Sequence, residues 1–434
     1  MLLSHTTLAH IQASDVSIPT PRLFELPERV LQFGTGVLLR GLPDYFIDKA
    51  NRRGLFNGRV VVVKSTDTGS TTEFDQQDSL YTLHIRGIQD GRQINEQVIN
   101  SAISRVISAA GNWHEVLRVA VNPDLQVVIS NTTEVGLQLV NENISQNPPA
   151  SFPGKLLAVL HERYKAFEGS ALHGLIIIPT ELITDNGKKL KAIVLELAQL
   201  NGLEPAFIAW IEKHNTFCSS LVDRIVPGKP NPEMTKQLEE QFGYEDGLRI
   251  IAEPYALWAI EGNENVAGVL SFSKADAAVV ITPDIELFRE LKLRLLNGTH
   301  TLSCATAYLS GFRTVREAMD NPAFSAFITD LMLKEIAVAI PYPVDYQTAA
   351  DFAAQVLDRF QNPFIEHQWI SISLQYSTKM KMRVIPLLLN FYKKHQVVPE
   401  HIAFGFAAYL RFMKTDKTTQ GKYQGHINLS LIHI

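Results

Sequence analysis

Residues 28–41, ERVLQFGTGVLLRG, set a short apolar run against a glycine turn and then a helical pattern. The apolar run predicts a strand, GTG a tight turn, and VLLRGLPDYFIDKANRRG (37–54) a helix closed by Gly54. A strand, a glycine turn and a helix in that order bring backbone N–H groups together at a helix start, where a dinucleotide's pyrophosphate would sit. Gly34, Thr35 and Gly36 are the candidate residues; Gly34 and Gly36 match the first two glycines of GxGxxG, while the third place is Leu39.

The next run, RVVVVKSTD (59–67), is β-branched throughout, as expected of a strand buried on both faces. It ends near Asp67, the one acid placed to accept the ribose hydroxyls and repel a 2′-phosphate, which favours NAD over NADP. LQVVISNTTE (125–134) predicts another strand, whose polar end puts Asn131 and Thr132 at the same cofactor edge. LHGLIIIPTELITDNG (172–187) predicts a further strand, closed by an Asn-Gly turn. Strands alternating with helices mean a mostly parallel α/β sheet. LYTLHIRGIQDGRQI (80–94) breaks the rhythm and predicts an inserted antiparallel hairpin at Asp90-Gly91. After Pro283 helical patterns dominate, so the expected organisation is a Rossmann-type dinucleotide-binding domain over 1–282 and a mostly α-helical substrate and catalytic domain over 283–428. Residues 429–434, LSLIHI, follow no turn or cap and read as a translated adapter sequence, so a truncated C-terminal domain is expected.

Composition narrows the class. A chain of 434 residues, 46% hydrophobic, can bury a large core, and a net charge of −5 gives no reason to expect nucleic acid or an acidic membrane surface as partner. Cys218 and Cys304 are far apart, and neither His114-Glu115 nor His161-Glu162 extends to HExxH, so no metal site is expected. No secretory leader or membrane-length apolar run is evident, which makes the cytoplasm the expected location. Oligomeric state leaves no mark.

The chemistry concentrates in LKLRLLNGTH (291–300). On an α-helix Lys292 stacks over Leu295 and Leu296, while Arg294 falls beside Glu290, the face expected to be solvated. Asn297 and His300 lie about 140° and 80° from Lys292, on one side of the helix. A lysine over leucines can simply snorkel to water. Joined by Asn297 and His300, it can instead take the hydroxyl proton as hydride leaves the same carbon, with the amide and imidazole holding the reacting oxygen. Tyr45 and Lys49 make a YxxxK spacing, but they lie on the helix that follows the glycine turn and read as packing or surface residues.

Lys292, Asn297 and His300 form a Lys-x4-Asn-x2-His pattern that resembles the signature of the polyol-specific long-chain dehydrogenases, typified by mannitol dehydrogenase. Segments similar to that family, among them QFGTGVLLRG, SNTTEVG, FCSSLVDRIV and RFQNPFIEHQWISISL, run from residue 30 to about 410. The resemblance implies an NAD- or NADP-dependent enzyme without zinc, with Lys292, Asn297 and His300 catalytic. It makes Asp223 (in SLVDRIVP) and Lys379 (in STK) substrate contacts, and implies further C-terminal helices past residue 428. Two departures point to a sugar acid as substrate. Glu181-Leu182 stands where the mannitol branch has Asp-Asn, and Ile370-Ser371 where it has a polyol-binding arginine, with His367 nearby. Lys379, then His367, is the candidate partner of the substrate's carboxylate. The nearest alternatives are the same chemistry on fructuronate or on a neutral polyol, and behind them a non-catalytic dinucleotide- or sugar-binding role.

Overall fold

Four consecutive valines, Val60–Val63, can all be buried only in a strand covered on both faces. In the computed structural model, which describes residues 1–12, 14–66, 69–132, 136–419 and 422–425, they lie in the second of six parallel strands. These are β1 (Glu28–Phe33), β2 (Arg59–Lys64), β3 (Ile103–Ser108), β4 (Val127–Ser130), β5 (Ile176–Pro179) and β6 (Thr216–Phe217). Their order is β3-β2-β1-β4-β5-β6, with Leu31 level with Val61 on one side and Val128 on the other. The chain reverses direction across the sheet between β1 and β4, which is where open α/β sheets bind ligands. Trp113, Leu156, Leu160, Leu190, Val194 and Phe207 pack over the sheet as its core.

Two local expectations need correction. The helix expected over 37–54 is two helices, Val37–Gly41 and Pro43–Arg52, parted at Leu42 (φ −134°, ψ −77°). Pro43 explains the break, since its ring forces the preceding residue out of helical geometry. The expected Asn-Gly turn is instead the start of the helix Asn186–Leu200. The buried Asn186 amide donates to the carbonyls of Pro179 (3.0 Å), Glu181 (2.9 Å) and Ser220 (3.1 Å), and its oxygen accepts from Ser220 N (2.9 Å). A Cβ on Gly187 would sit 2.5 Å from the Cys218 backbone, so the pair lets a helix start approach a strand rather than turning the chain.

The chain divides into two compact units: Met1–Arg86 with Asn95–Ile285, and Gly87–Ile94 with Glu286 onward. The strands Tyr81–Gln89 and Arg92–Asn100 meet at Asp90 (φ 52°) and Gly91 (φ 68°), the two positive φ values of a tight hairpin turn. The second unit is helical. Its segments include Glu286–Leu291, a π-helical Lys292–Gly298, Thr299–Leu309, Tyr346–Phe360, Ile385–His395 and Glu400–Phe412. No described helix is long and apolar enough to cross a membrane. Asp67 and residues 429–434 lie outside the described residues.

Candidate active site

In the first unit the glycine turn closes the end of β1. Gly34 donates its N–H to Val63 O (3.0 Å) at φ +125°, and a Cβ there would meet Leu39 Cδ1 at 2.9 Å and Asn131 O at 3.2 Å. The chain's own geometry therefore requires this glycine. Gly36 differs. It has an ordinary φ of −61°, and a Cβ on it would meet nothing within 4 Å. Thr35 lies between them, and the open side of Gly36 leaves the room that phosphates need to approach backbone N–H groups. This fits a dinucleotide. Leu39, in the third fingerprint place, is fully buried against Gly34.

Asn131 and Thr132 follow β4. The Asn131 amide donates to Thr180 Oγ1 (3.0 Å) and O (3.2 Å), and its backbone N–H donates to Phe33 O (3.2 Å). Thr132 donates through N (2.8 Å) and Oγ1 (3.0 Å) to Glu181, whose other oxygen accepts from Ser130 Oγ (3.2 Å). Glu181 is thus a buried clasp between the ends of β4 and β5. Asp223 is buried at the end of the strand Ser220–Asp223 in this unit. Its neighbour Arg224 is one that sequence reading passed over. Buried, it donates to Glu253 O (2.9 Å) and Gly41 O (2.7 Å), and its guanidinium lies 4.7 Å from the Tyr45 ring centre. Lys49 pairs with Asp276 at 2.6 Å, so both residues of the YxxxK spacing serve packing or pairing.

In the second unit, Lys292 and Asn297 sit at half-buried positions of the π-helical turn, with Leu295 and Leu296 buried between them. Hydrogen bonding from i to i+5 widens a turn, so residues five apart come closer to one face than α-helical geometry allows. The expected α-helix is corrected in that sense. The Asn297 carbonyl accepts from Thr301 Oγ1 (2.7 Å) and Arg383 Nη1 (3.4 Å), while its side-chain amide bonds no described residue. His300 is buried, its ring stacked on Phe360 (centroids 4.3 Å apart, planes 11° apart) and met edge-on by His367 at 4.9 Å. Its Nε2 is buried without a hydrogen-bond partner. Burial, and then the charges of His367, Arg359, Arg383 and Lys379, hold its pKa well below 6.5, so the ring is neutral.

Lys379 donates to Ile372 O (2.8 Å), and burial followed by the Arg383 charge lowers its pKa. Burial, with Arg359 and Lys379, lowers that of His367. Lys292, Asn297, His300, His367 and Lys379 therefore all belong to the second unit, whereas Asp223 and the glycine turn belong to the first. Arg359 and Arg383 were not singled out from sequence. The clue available was their placement, Arg359 eight residues before His367 and Arg383 four after Lys379. The Glu290/Arg294 face, expected to be solvated, is buried: Arg294 Nε and Nη2 fork onto Glu290 at 2.9 and 3.2 Å. Among the described residues no three His, Cys, Asp or Glu side chains are grouped to hold a metal.

Comparison with known proteins places these two units in a familiar frame. Residues 28–274 match the mannitol dehydrogenase Rossmann domain and residues 284–425 the mannitol dehydrogenase C-terminal domain. The chain is 41% identical to an altronate oxidoreductase of Halalkalibacterium halodurans, over 90% of this chain and 76% of that protein. It is 39% identical to the altronate oxidoreductase of Bacillus subtilis, over 91% and 82%. In structure it resembles a D-sorbitol dehydrogenase solved substrate-free (TM-score 0.80, 21% identity, covering 95% of this chain and 86% of that one). It also resembles Pseudomonas fluorescens mannitol 2-dehydrogenase in a ternary complex with NAD and D-mannitol (TM-score 0.71, 22% identity, covering 96% and 85%).

The two glycines of the turn separate fold from binding. Gly36→Ala should alter stability by no more than about 0.5 kcal/mol, because its methyl enters open space. The same methyl should raise the NADH dissociation constant at least about tenfold in a calorimetric titration, or about 1.4 kcal/mol. Unchanged NADH affinity would remove the turn from the cofactor site. His300 sets a second expectation. Its pKa is lowered in the folded state, so below about pH 6.5 the unfolded chain binds a proton that the folded chain refuses, and stability falls with acidification. His300→Phe should flatten the loss of unfolding free energy between about pH 6.5 and 5, by up to about 1.4 kcal/mol per pH unit. Identical slopes in denaturant titrations of both proteins would contradict a buried, neutral His300.

Proposed function

The chain belongs to the mannitol dehydrogenase family, and from that premise we propose that it is an NAD-dependent reductase interconverting D-tagaturonate and D-altronate. One observation carries the choice of a sugar acid: two cations, Lys379 and Arg383, stand four residues apart on the stretch that meets the Asn297 turn. Arg383 Nη1 reaches the Asn297 carbonyl (3.4 Å) and Thr301 Oγ1 (3.3 Å), and the His367 ring lies 4.9 Å from that of His300. A neutral polyol offers these cations no counter-charge, whereas a carboxylate suits them, above all through planar guanidinium forks. The name altronate oxidoreductase, borne by relatives at 38–41% identity, agrees with this reading.

NAD, when bound, supplies the hydride acceptor, and NADH the donor in the reverse direction. The chain supplies the rest. In tagaturonate reduction the Lys292 ammonium gives a proton to the oxygen of the carbon that receives hydride; in altronate oxidation the free amine takes it back. The Asn297 side-chain N–H donates to that oxygen as negative charge grows on it, in a half-buried place where such a bond counts for more than in water. His300 is neutral, so its ring offers one donor and one acceptor, which suits a substrate hydroxyl. Lys379, Arg383, Arg359 and His367 take the carboxylate end, and the glycine turn with Asn131 and Thr132 takes the dinucleotide.

Removing the proton carrier gives the sharpest test. Lys292→Ala should lower kcat for tagaturonate by at least about a hundredfold, or about 2.7 kcal/mol, while NADH still binds. A small primary amine added to that variant should restore part of the rate, in step with the amine's pKa. Turnover near that of the parent protein would remove Lys292 from the chemistry.

The carboxylate assignment is tested by substrate discrimination. Arg383→Met and Lys379→Met each remove a charged hydrogen-bond donor, a loss of about 1.5–3 kcal/mol. Each should cut kcat/KM for tagaturonate by roughly 10- to 150-fold and change that for fructose by less than about threefold. Equal losses on both substrates would put these cations outside the carboxylate site.

A further inference from the structure

Pro386, in the first turn of Ile385–His395, has no N–H to give to the Met382 carbonyl four residues back. The chain ahead of it widens into a π-helical turn, Met380–Val384, where Ile385 N–H reaches Met380 O. Arg294 Nη1 donates to the Met382 carbonyl at 2.7 Å and to that of Arg383 at 3.0 Å. The other edge of the same guanidinium is forked onto Glu290 one turn back on its own helix.

Arg294 therefore ties together two π-helical turns. One carries Lys292 and Asn297; the other begins beside Lys379 and contains Arg383. A second link runs alongside, from Arg383 Nη1 to the Asn297 carbonyl (3.4 Å) and Thr301 Oγ1 (3.3 Å). A buried ion pair is a poor way to gain stability, because an apolar pair of the same volume often serves as well or better. Its value here is geometric. A fork with fixed donors on both edges leaves the Lys292 turn little freedom to rotate or slide against the turn of Lys379 and Arg383.

We propose that Arg294, held by Glu290, is a positioning residue. It fixes the register between the proton-transfer pair Lys292/Asn297 and the carboxylate-binding pair Lys379/Arg383. This rests on the reading of Lys292 as proton carrier. A uronate gripped by its carboxylate presents its carbonyl at a set distance, so a shift of about 1 Å between the two turns misplaces the ammonium even when the substrate stays bound.

The test is the double variant Glu290→Leu/Arg294→Met, which replaces the pair with apolar side chains and leaves no unpaired buried charge. With tagaturonate and NADH, the expected result is a thermal midpoint equal to or above the parent's, kcat lower by at least about tenfold, and KM within about threefold. The solvent deuterium isotope effect on kcat should also rise, because proton transfer becomes slower while a merely structural pair would leave it unmoved. Parent-like kcat and isotope effect in a folded double variant would overturn the proposal. If that variant does not fold, Arg294→Lys keeps the charge but loses the fork, and it should show the same pattern more weakly. Unchanged kcat in Arg294→Lys would also overturn it. Lys292→Ala is measured alongside. Its activity near that of the parent would overturn the proton-carrier reading, and the positioning role with it, whereas its inactivity beside a fully active double variant would overturn the positioning role alone.

Discussion

A proline that cannot donate sets the arrangement of the second unit. Without an N–H on Pro386 the helix that carries Lys379 and Arg383 cannot close in the ordinary way, and its Met382 carbonyl takes a donor from another helix, the Arg294 guanidinium. That donor is buried, so it needs a carboxylate, and Glu290 is one turn away. The contact forces two helices to meet at their widened turns. Those turns carry the amine, the amide and two of the cations that the proposed reaction needs.

The first unit solves a different problem, that of ending strands cleanly where a cofactor would lie. Strand ends expose carbonyls and N–H groups that must be paired if they are to be buried. Asn186 pairs four backbone groups of Pro179, Glu181 and Ser220, Glu181 clasps the ends of β4 and β5, and Arg224 holds the carbonyl of Gly41 at the end of the first helix after the glycine turn. These polar side chains fix the shape of the edge. Gly36, whose outward side is open, is where that shape leaves room for a ligand.

Much of this was legible in the residues. Val60–Val63 announce a doubly covered strand, and the glycine turn after Phe33 announces a strand end joined tightly to a helix start, because both depend on local pattern alone. The Lys-Asn-His spacing pointed to a candidate chemistry, but not to its geometry: helical projection assumes an α-helix and does not register a π-helical turn. Arg294 read as solvated because its carbonyl partners are 88 and 89 residues away in the chain. Asn186-Gly187 read as a turn because side-chain bonds to Ser220 lie outside any local window. The break at Leu42 is another matter. Pro43 was in plain view, and a helix drawn through it ignored the restriction on the residue before proline.

On the proposed function, cations of the second unit, Lys379 and Arg383 first among them, would take the acid end of a hexuronate. Initial rates of NADH oxidation with D-tagaturonate, D-fructuronate and D-fructose test it most directly. A site that pairs a substrate's charged group discriminates strongly against an analogue that lacks it. The expected result is a kcat/KM for tagaturonate at least about a hundredfold above that for fructose, with fructuronate below tagaturonate. Fructose reduced as efficiently as tagaturonate would contradict it.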